Sequence, residues 1–162
     1  MPVCTFFGPR DCPETVRPKI RSALQNLITE SNVDMFYVGN QGRFDALVRA
    51  ELRELQGEYP HIRYAVVLAY LPGKSAEYED YSDTMLPEGI ESVHPRYAIS
   101  WRNNWMLQRS EYVVAYVAHS WGGAAQFVRK ATKLMSITLA RTGQIIIISS
   151  ILEQTASTIQ RL

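Results

Sequence analysis

The chain has 162 residues, the size of one domain that can bury a substantial hydrophobic core. Hydrophobic residues make up 46% of it and charged residues 20%, an ordinary globular balance that excludes disordered and fibrous proteins. Seventeen basic and sixteen acidic residues give a net charge of +1, and no basic run exceeds two residues. This pattern lacks the basic footprint of a nucleic-acid-binding protein and disfavours such a partner.

The two cysteines, Cys4 and Cys12, are too few for a disulfide scaffold in a chain of this length. The three histidines are scattered and no C-x-x-C pair occurs, so we predict two reduced core thiols, no metal site and no cofactor. The first residues lack the basic and apolar regions of a signal peptide. The run IIII at 145–148 is far shorter than the ~20 residues of a membrane span. We therefore expect a cytoplasmic protein with no membrane partner.

Strand and helix patterns alternate along the chain. The predicted strands are 2–7, 34–38, 62–71, 111–117 and 144–149. The predicted helices are 13–28, 44–55, 96–110, 122–135 and a C-terminal helix at 150–162. In the first helix, Pro13 suits the first turn, whereas Pro18 favours a later start or a bend.

The alternation contains no hairpin signal, which predicts one α/β domain over residues 1–162. We expect a Rossmann-like, doubly wound and mainly parallel sheet of about five strands with helices on both faces. Ligands of such sheets bind outside the carboxyl ends of the strands, at the turns that lead into the helices.

A polar segment interrupts this pattern at 72–96, with three prolines and two glycines. A loop of this length inside a compact domain is typical of a functional lid or flap. The GKS triplet at 73–75 is not a P-loop, because Leu68 stands where the motif requires glycine. The segment 72–96 also contains a group of acidic side chains, which favours a solvated loop over a metal or partner contact. These side chains are Glu77, Glu79, Asp80 and Asp83.

The stretch AHSWGG at 118–123 follows an apolar strand and precedes a helix, as the nucleophile elbow of serine hydrolases does. A hydrolase of that fold needs an acid and then a histidine after the serine. After Ser120 there is no His or Asp, and the only acid is Glu153. The motif therefore favours a glycine turn, with Ser120 as a hydroxyl contact to a ligand.

Glycines occur at three predicted strand-to-helix turns, which would meet at one edge of the sheet. Exposed N–H groups at a helix N-terminus favour phosphate, and arginines add bidentate contacts. Trp101 and Trp105, four residues apart, indicate core packing, with an aromatic shelf for a base or for the lid as the alternative. The predicted ligand-binding residues are Gly8, Arg10, Gly39, Asn40, Gly42, Arg102, Ser120, Gly122, Gly123 and Ala124.

Three segments together resemble the SLOG superfamily, the DprA-like and LOG-like Rossmann proteins. RNNWMLQRSEYVVAYV at 102–117 resembles the R-K-x-x-M-x-x-x-S-D segment of the cytokinin-activating LOG proteins, with one extra residue between Arg and Met. FFGPR at 6–10 resembles the G-S-R turn after the first strand of that superfamily. YVGNQGRFDALV at 37–48 resembles its second turn, and the likeness spans about residues 3–134.

The resemblance implies a homodimer that binds a nucleotide or nucleotide-derived ligand at the carboxyl edge of the sheet. The LOG motif P-G-G-x-G-T-x-x-E places its glycine pair on Gly122 and Gly123, but its glutamate falls on Arg129. Glycosidic hydrolysis needs a carboxylate, so a binding protein is favoured over an enzyme. The alternative is a nucleotide N-glycosidase with a relocated acid, either Asp45 or Glu51. Single-stranded DNA binding of the DprA type is a third possibility, which the near-neutral charge disfavours.

Overall fold

The computed structural model describes residues 2–71, 83–116 and 144–148, together with Gln126 and Arg129. Gln126 and Arg129 are helical and exposed. The rest of the helix predicted at 122–135, the C-terminal helix at 150–162 and the loop residues 72–82 lie outside the described residues.

Six parallel strands form one sheet in the order β4-β3-β2-β1-β5-β6. The strands are β1 (Val3–Phe7), β2 (Met35–Val38), β3 (Arg63–Val67), β4 (Thr84–Met85), β5 (Tyr112–Tyr116) and β6 (Gln144–Ile148). The helices are α1 (Arg17–Glu30), α2 (Arg43–Glu58) and α3 (Ala98–Gln108). This arrangement confirms the predicted Rossmann-like α/β class.

The two faces of the sheet carry different helices. Alternate strand residues, among them Phe6, Phe36 and Val38, belong to the hydrophobic core that α1 and α2 complete. Tyr37 lies between Phe36 and Val38 in the strand and so points the other way. Its ring contacts Trp105 of α3, with 5.3 Å between the centroids. The sheet is therefore covered by α1 and α2 on one face and by α3 on the other.

The first helix begins later than Pro13, as the position of Pro18 predicts. Residues Glu14–Val16 form a short 3-10 turn, preceded by Pro13. α1 then begins at Arg17, with Pro18 in its first turn, where the missing N–H breaks no helical hydrogen bond. The apolar face of α1 is buried, as its spacing predicts.

The segment 83–96, expected to be part of an irregular loop, contains a short strand and two helical turns. Thr84–Met85 extend the sheet as β4, and Leu68 donates its backbone N–H to the Met85 carbonyl at 2.9 Å. Two 3-10 turns, Ile90–Ser92 and Pro95–Tyr97, then lead into α3. A two-residue strand is too short to produce a periodic pattern, which explains why sequence reasoning missed it.

Both cysteines are free and buried, as predicted. Burial raises the pKa of the Cys12 thiol to about 11 and also raises the pKa of Cys4, so neither is a reactive thiolate near neutral pH. None of the helices in the described part of the chain has the length and apolar character needed to cross a bilayer.

Candidate functional site

The strand order reverses direction between β1 and β5, which makes the carboxyl ends of these strands the switch point of the sheet. Phe44, in the first turn of α2, lies beside this point. Its ring stacks on Tyr116 at the end of β5, with 6.4 Å between the centroids. A Cβ on Gly8, directly after β1, would approach the Phe44 ring to 2.1 Å. Gly8 is therefore required for the close packing of α2 against the switch point.

The turns after β1 and β2 are joined by their backbones. Arg43 donates its N–H to the carbonyl of Arg10 at 2.7 Å, and Phe44 donates to that of Pro9. Gly42 has a φ of +92°, and a Cβ there would come within 2.5 Å of the Arg10 Cα. Position 42 thus requires glycine for two reasons: its positive φ, and the close packing of the Arg10 backbone.

Near the start of α2, the backbone N–H groups of Gln41, Arg43 and Phe44 are bound by protein oxygens. Besides the two bonds to the turn after β1, Gln41 donates its N–H to Asp45 Oδ2 at 3.0 Å. This end of the helix is thereby stabilised from within the chain. Gly42 shapes the two turns, and its predicted contact with a ligand stays a prediction.

Among the fully buried residues that the structure describes, Arg102 has the largest side chain, and it is 2% exposed. It extends from α3 to the carboxyl end of β3, where its Nη1 donates to the Val67 carbonyl at 2.9 Å. Its Nε donates to Asn103 Oδ1 at 2.9 Å. Burial lowers the pKa of Arg102, and the charge of Asp45 opposes that shift. Arg102 is a buried charge at the sheet edge, not a solvated surface residue.

Asp45 approaches the same edge from α2, on the opposite face of the sheet. It is 7% exposed, and burial raises the pKa of its carboxyl group. The charges of Arg102 and Arg49 and the hydrogen bond from Gln41 oppose this shift without overcoming it. A carboxyl group with this environment is a candidate functional group.

Gly39, the first residue after β2, lies between the two charged side chains. A Cβ on Gly39 would be 2.5 Å from Asp45 Oδ2 and 2.8 Å from Arg102 Nη1. Arg49 also donates its Nη1 to the Gly39 carbonyl at 3.0 Å. The absence of a side chain at Gly39 lets the carboxylate and the guanidinium face each other across the end of β2.

Two other predicted ligand-binding residues, Arg10 and Asn40, also lie at this edge and differ in their exposure. Arg10 is exposed on the turn after β1. Asn40 is half-buried, and its Oδ1 accepts a hydrogen bond from Gln41 Nε2 at 3.4 Å. The structure thus brings the predicted residues of the first two turns and Arg102 to one edge.

Glu51 lies elsewhere, in the interface between α1 and α2. Its Oε1 is 2.5 Å from Arg17 Nε, and its Oε2 is 2.9 Å from Arg21 Nη1. It follows Asp45 by six residues, about 9 Å along the helix axis. Both oxygens of Glu51 are bound to arginines, so of the two candidate acids only Asp45 stands at the sheet edge.

The two tryptophans of α3 have separate surroundings. Trp105 packs on Tyr37, and the Arg109 guanidinium lies 4.2 Å from its ring centroid. Trp101 packs on the small apolar cluster that contains Ile90. Both are partly buried and serve the packing of α3, as the favoured interpretation predicts.

Four predicted residues lie outside the described residues: Ser120, Gly122, Gly123 and Ala124. Within the described residues, no group of three or more His, Cys, Asp or Glu side chains is placed to hold a metal ion. Arg49 and Asn103 are absent from the predicted set. For Arg49, the available signal was its four-residue spacing from Asp45 on one helix face.

No protein-family model matches the chain, and no curated protein matches it. The functional assignment therefore depends on the geometry of the carboxyl edge and on the sequence motifs.

Proposed function

We propose that the chain binds a nucleotide or a nucleotide-derived ligand, possessing a phosphate and a sugar, at the carboxyl edge of its sheet. The proposal includes membership of the SLOG superfamily, whose motifs the sequence resembles. The turns after β1 and β2, which contain Gly8 and Gly42, would form one wall of the site. The turn that the sequence predicts at Gly122 and Gly123 would supply the phosphate-binding amides.

The buried pair of Asp45 and Arg102 is the observation that carries the proposal. The two residues come from helices on opposite faces and meet beside the turn after β2. Burying two charges is costly, so such pairs are uncommon in a core that apolar residues could fill. Ionisable groups with perturbed pKa values cluster at functional sites, and this pair lies where Rossmann-like sheets bind their ligands.

Titration calorimetry with nucleoside monophosphates, cyclic nucleotides and ADP-ribose tests the proposal. We expect at least one of these classes to bind. The Ser120→Ala variant should bind modestly more weakly, because it removes a single hydroxyl contact. A folded protein that binds none of these compounds would rule the proposal out.

One observation favours a second candidate, a nucleotide N-glycosidase. Burial raises the pKa of Asp45, as it does for the acids of glycosidases, and Asp45 lies at the proposed edge. Release of free adenine from AMP, measured by chromatography, would establish this activity. Asp45→Ala should then abolish it, whereas Glu51→Gln, a change in the α1–α2 interface, should leave most of it.

We also propose a homodimer, as the family resemblance implies. Native mass spectrometry of the purified protein would give the mass of two chains and of any ligand that copurifies. A monomer at micromolar concentration would contradict the dimer without bearing on ligand binding.

A further inference from the structure

Asp45 and Arg102 face each other with hydrogen-bonding capacity to spare. A guanidinium carries five N–H donors, and a carboxylate accepts about four hydrogen bonds. Within the described residues, Arg102 donates to two acceptors, and Asp45 accepts one bond from the backbone of Gln41. No hydrogen bond joins the two side chains in that part of the chain. The pair therefore offers a donor and an acceptor side by side.

The charges around the pair decide which ligand group it accepts. The positive charges of Arg102 on α3 and Arg49 on α2 both act on Asp45, and its negative charge offsets theirs. A phosphate at Arg102 would bring two negative charges close to a buried carboxylate, which is unfavourable at low dielectric. A neutral hydroxyl avoids this repulsion, since it donates to Asp45 and accepts from Arg102.

The small exposure of the pair agrees with a small ligand group. Asp45 is 7% exposed and Arg102 is 2% exposed. A single hydroxyl needs one hydrogen-bonding contact on each side. A phosphate has several oxygens, all of which need donors, and the pair offers it only one cation that an acid already offsets.

We propose that Asp45 and Arg102 together bind one hydroxyl of the ligand's ribose, with Asp45 as the acceptor and Arg102 as the donor. Asp45 is then the specificity-determining residue that selects ribose over deoxyribose. The phosphate binds elsewhere on the edge, beside Arg10. This assignment depends on the proposed nucleotide binding and names the sugar subsite within it.

Titration calorimetry with the four ribonucleoside 5′-monophosphates and their 2′-deoxy and 3′-deoxy counterparts tests the assignment. Wild type should bind a ribonucleotide about tenfold more tightly than one of its deoxy counterparts, since a hydrogen bond to a charged group is lost. In Asp45→Asn this preference should fall to about twofold or less. The affinity for inorganic phosphate should be unchanged or higher, because a negative charge is removed.

Asp34→Asn is a matched control, because Asp34 precedes β2 at the opposite edge of the sheet. It should keep the wild-type preference, and circular dichroism establishes that both variants are folded. Equal binding of ribo and both deoxy forms by wild type would overturn the sugar subsite alone, as would an unchanged preference in Asp45→Asn. Failure of every nucleotide to bind would overturn the proposed function, and the subsite with it.

Discussion

Gly39 lies between the two buried charges of the candidate site, and a substitution tests whether this position requires glycine. In Gly39→Ala the new Cβ would lie 2.5 Å from Asp45 Oδ2 and 2.8 Å from Arg102 Nη1. Since both groups are buried, neither moves freely, and we expect a loss of about 1–3 kcal/mol in the free energy of unfolding. Chemical denaturation measures this loss.

Gly57→Ala serves as the control for that change. Gly57 lies in α2, and a Cβ there would meet nothing within 4 Å. Alanine is the better helix former, so this variant should gain about 0.5–1 kcal/mol. If the two substitutions changed the free energy of unfolding equally, the charged pair would not be what excludes a side chain at Gly39.

The titration of Asp45 gives a second test at the residue scale. Burial raises the pKa of this carboxyl group, so the folded state holds the proton more tightly than the unfolded chain does. The stability that this group contributes is present at low pH and is lost as pH rises through the raised pKa. Asn is neutral at every pH, so Asp45→Asn should become more stable relative to wild type as pH rises from about 4 to about 8. Thermal melts of both proteins across this range measure the change. A stability difference between variant and wild type that stayed constant or moved in favour of wild type would contradict the account.

The burial of Arg102 illustrates which residue properties a sequence leaves open. Its position in a predicted helix and its family resemblance suggest a functional arginine, but both are compatible with a surface side chain. The burial depends on Gly39 and Asp45, which are more than fifty residues away in sequence. Tertiary contacts of this kind have no local pattern, so the structure was needed to find the pair.

At the scale of elements, ion pairs join α1 to α2. Arg17 and Arg21 extend from α1 to Glu51, Glu54 and Glu58 on α2. Glu51 is buried and binds both arginines, whereas Glu54 is exposed. We expect Glu51→Gln to lower the melting temperature clearly and Glu54→Gln to lower it little, because exposed pairs contribute little.

Salt provides the check on this interpretation. Raising the salt concentration should shrink the effect of Glu54→Gln more than that of Glu51→Gln, since buried charges are screened less. A larger loss from Glu54→Gln than from Glu51→Gln would show that the exposed pairs, and not the buried one, hold the helices together.

Element prediction succeeded where periodicity was strong and failed where elements were short. The apolar spacing in α2 and the apolar run of β3 define both elements to within a few residues. β3 nevertheless ends at Val67, earlier than the run that continues to Leu71. Residues 68–71 are not strand, although Leu68 still bonds to Met85 of β4, and apolar composition does not encode this end of the strand.

At the scale of the whole molecule, alternation of strands and helices was enough to predict the parallel sheet. Short connections and right-handed crossovers leave few other topologies for such a pattern. The same rules placed the turns after β1 and β2 at one edge. They did not indicate that the first N–H groups of α2 would be bound by the turn after β1, since those hydrogen bonds depend on how the helix and the turn pack.

Hydrogen–deuterium exchange, with and without the nucleotide that binds best, tests most directly whether the carboxyl edge is the binding site. We predict slower exchange on binding in the segments 8–12, 39–42 and 99–103, which surround this edge. The segments 32–35 and 109–112, at the amino ends of β2 and β5, should exchange at unchanged rates. Protection confined to the amino ends, or protection that is uniform over the described chain, would contradict a ligand site at the carboxyl edge.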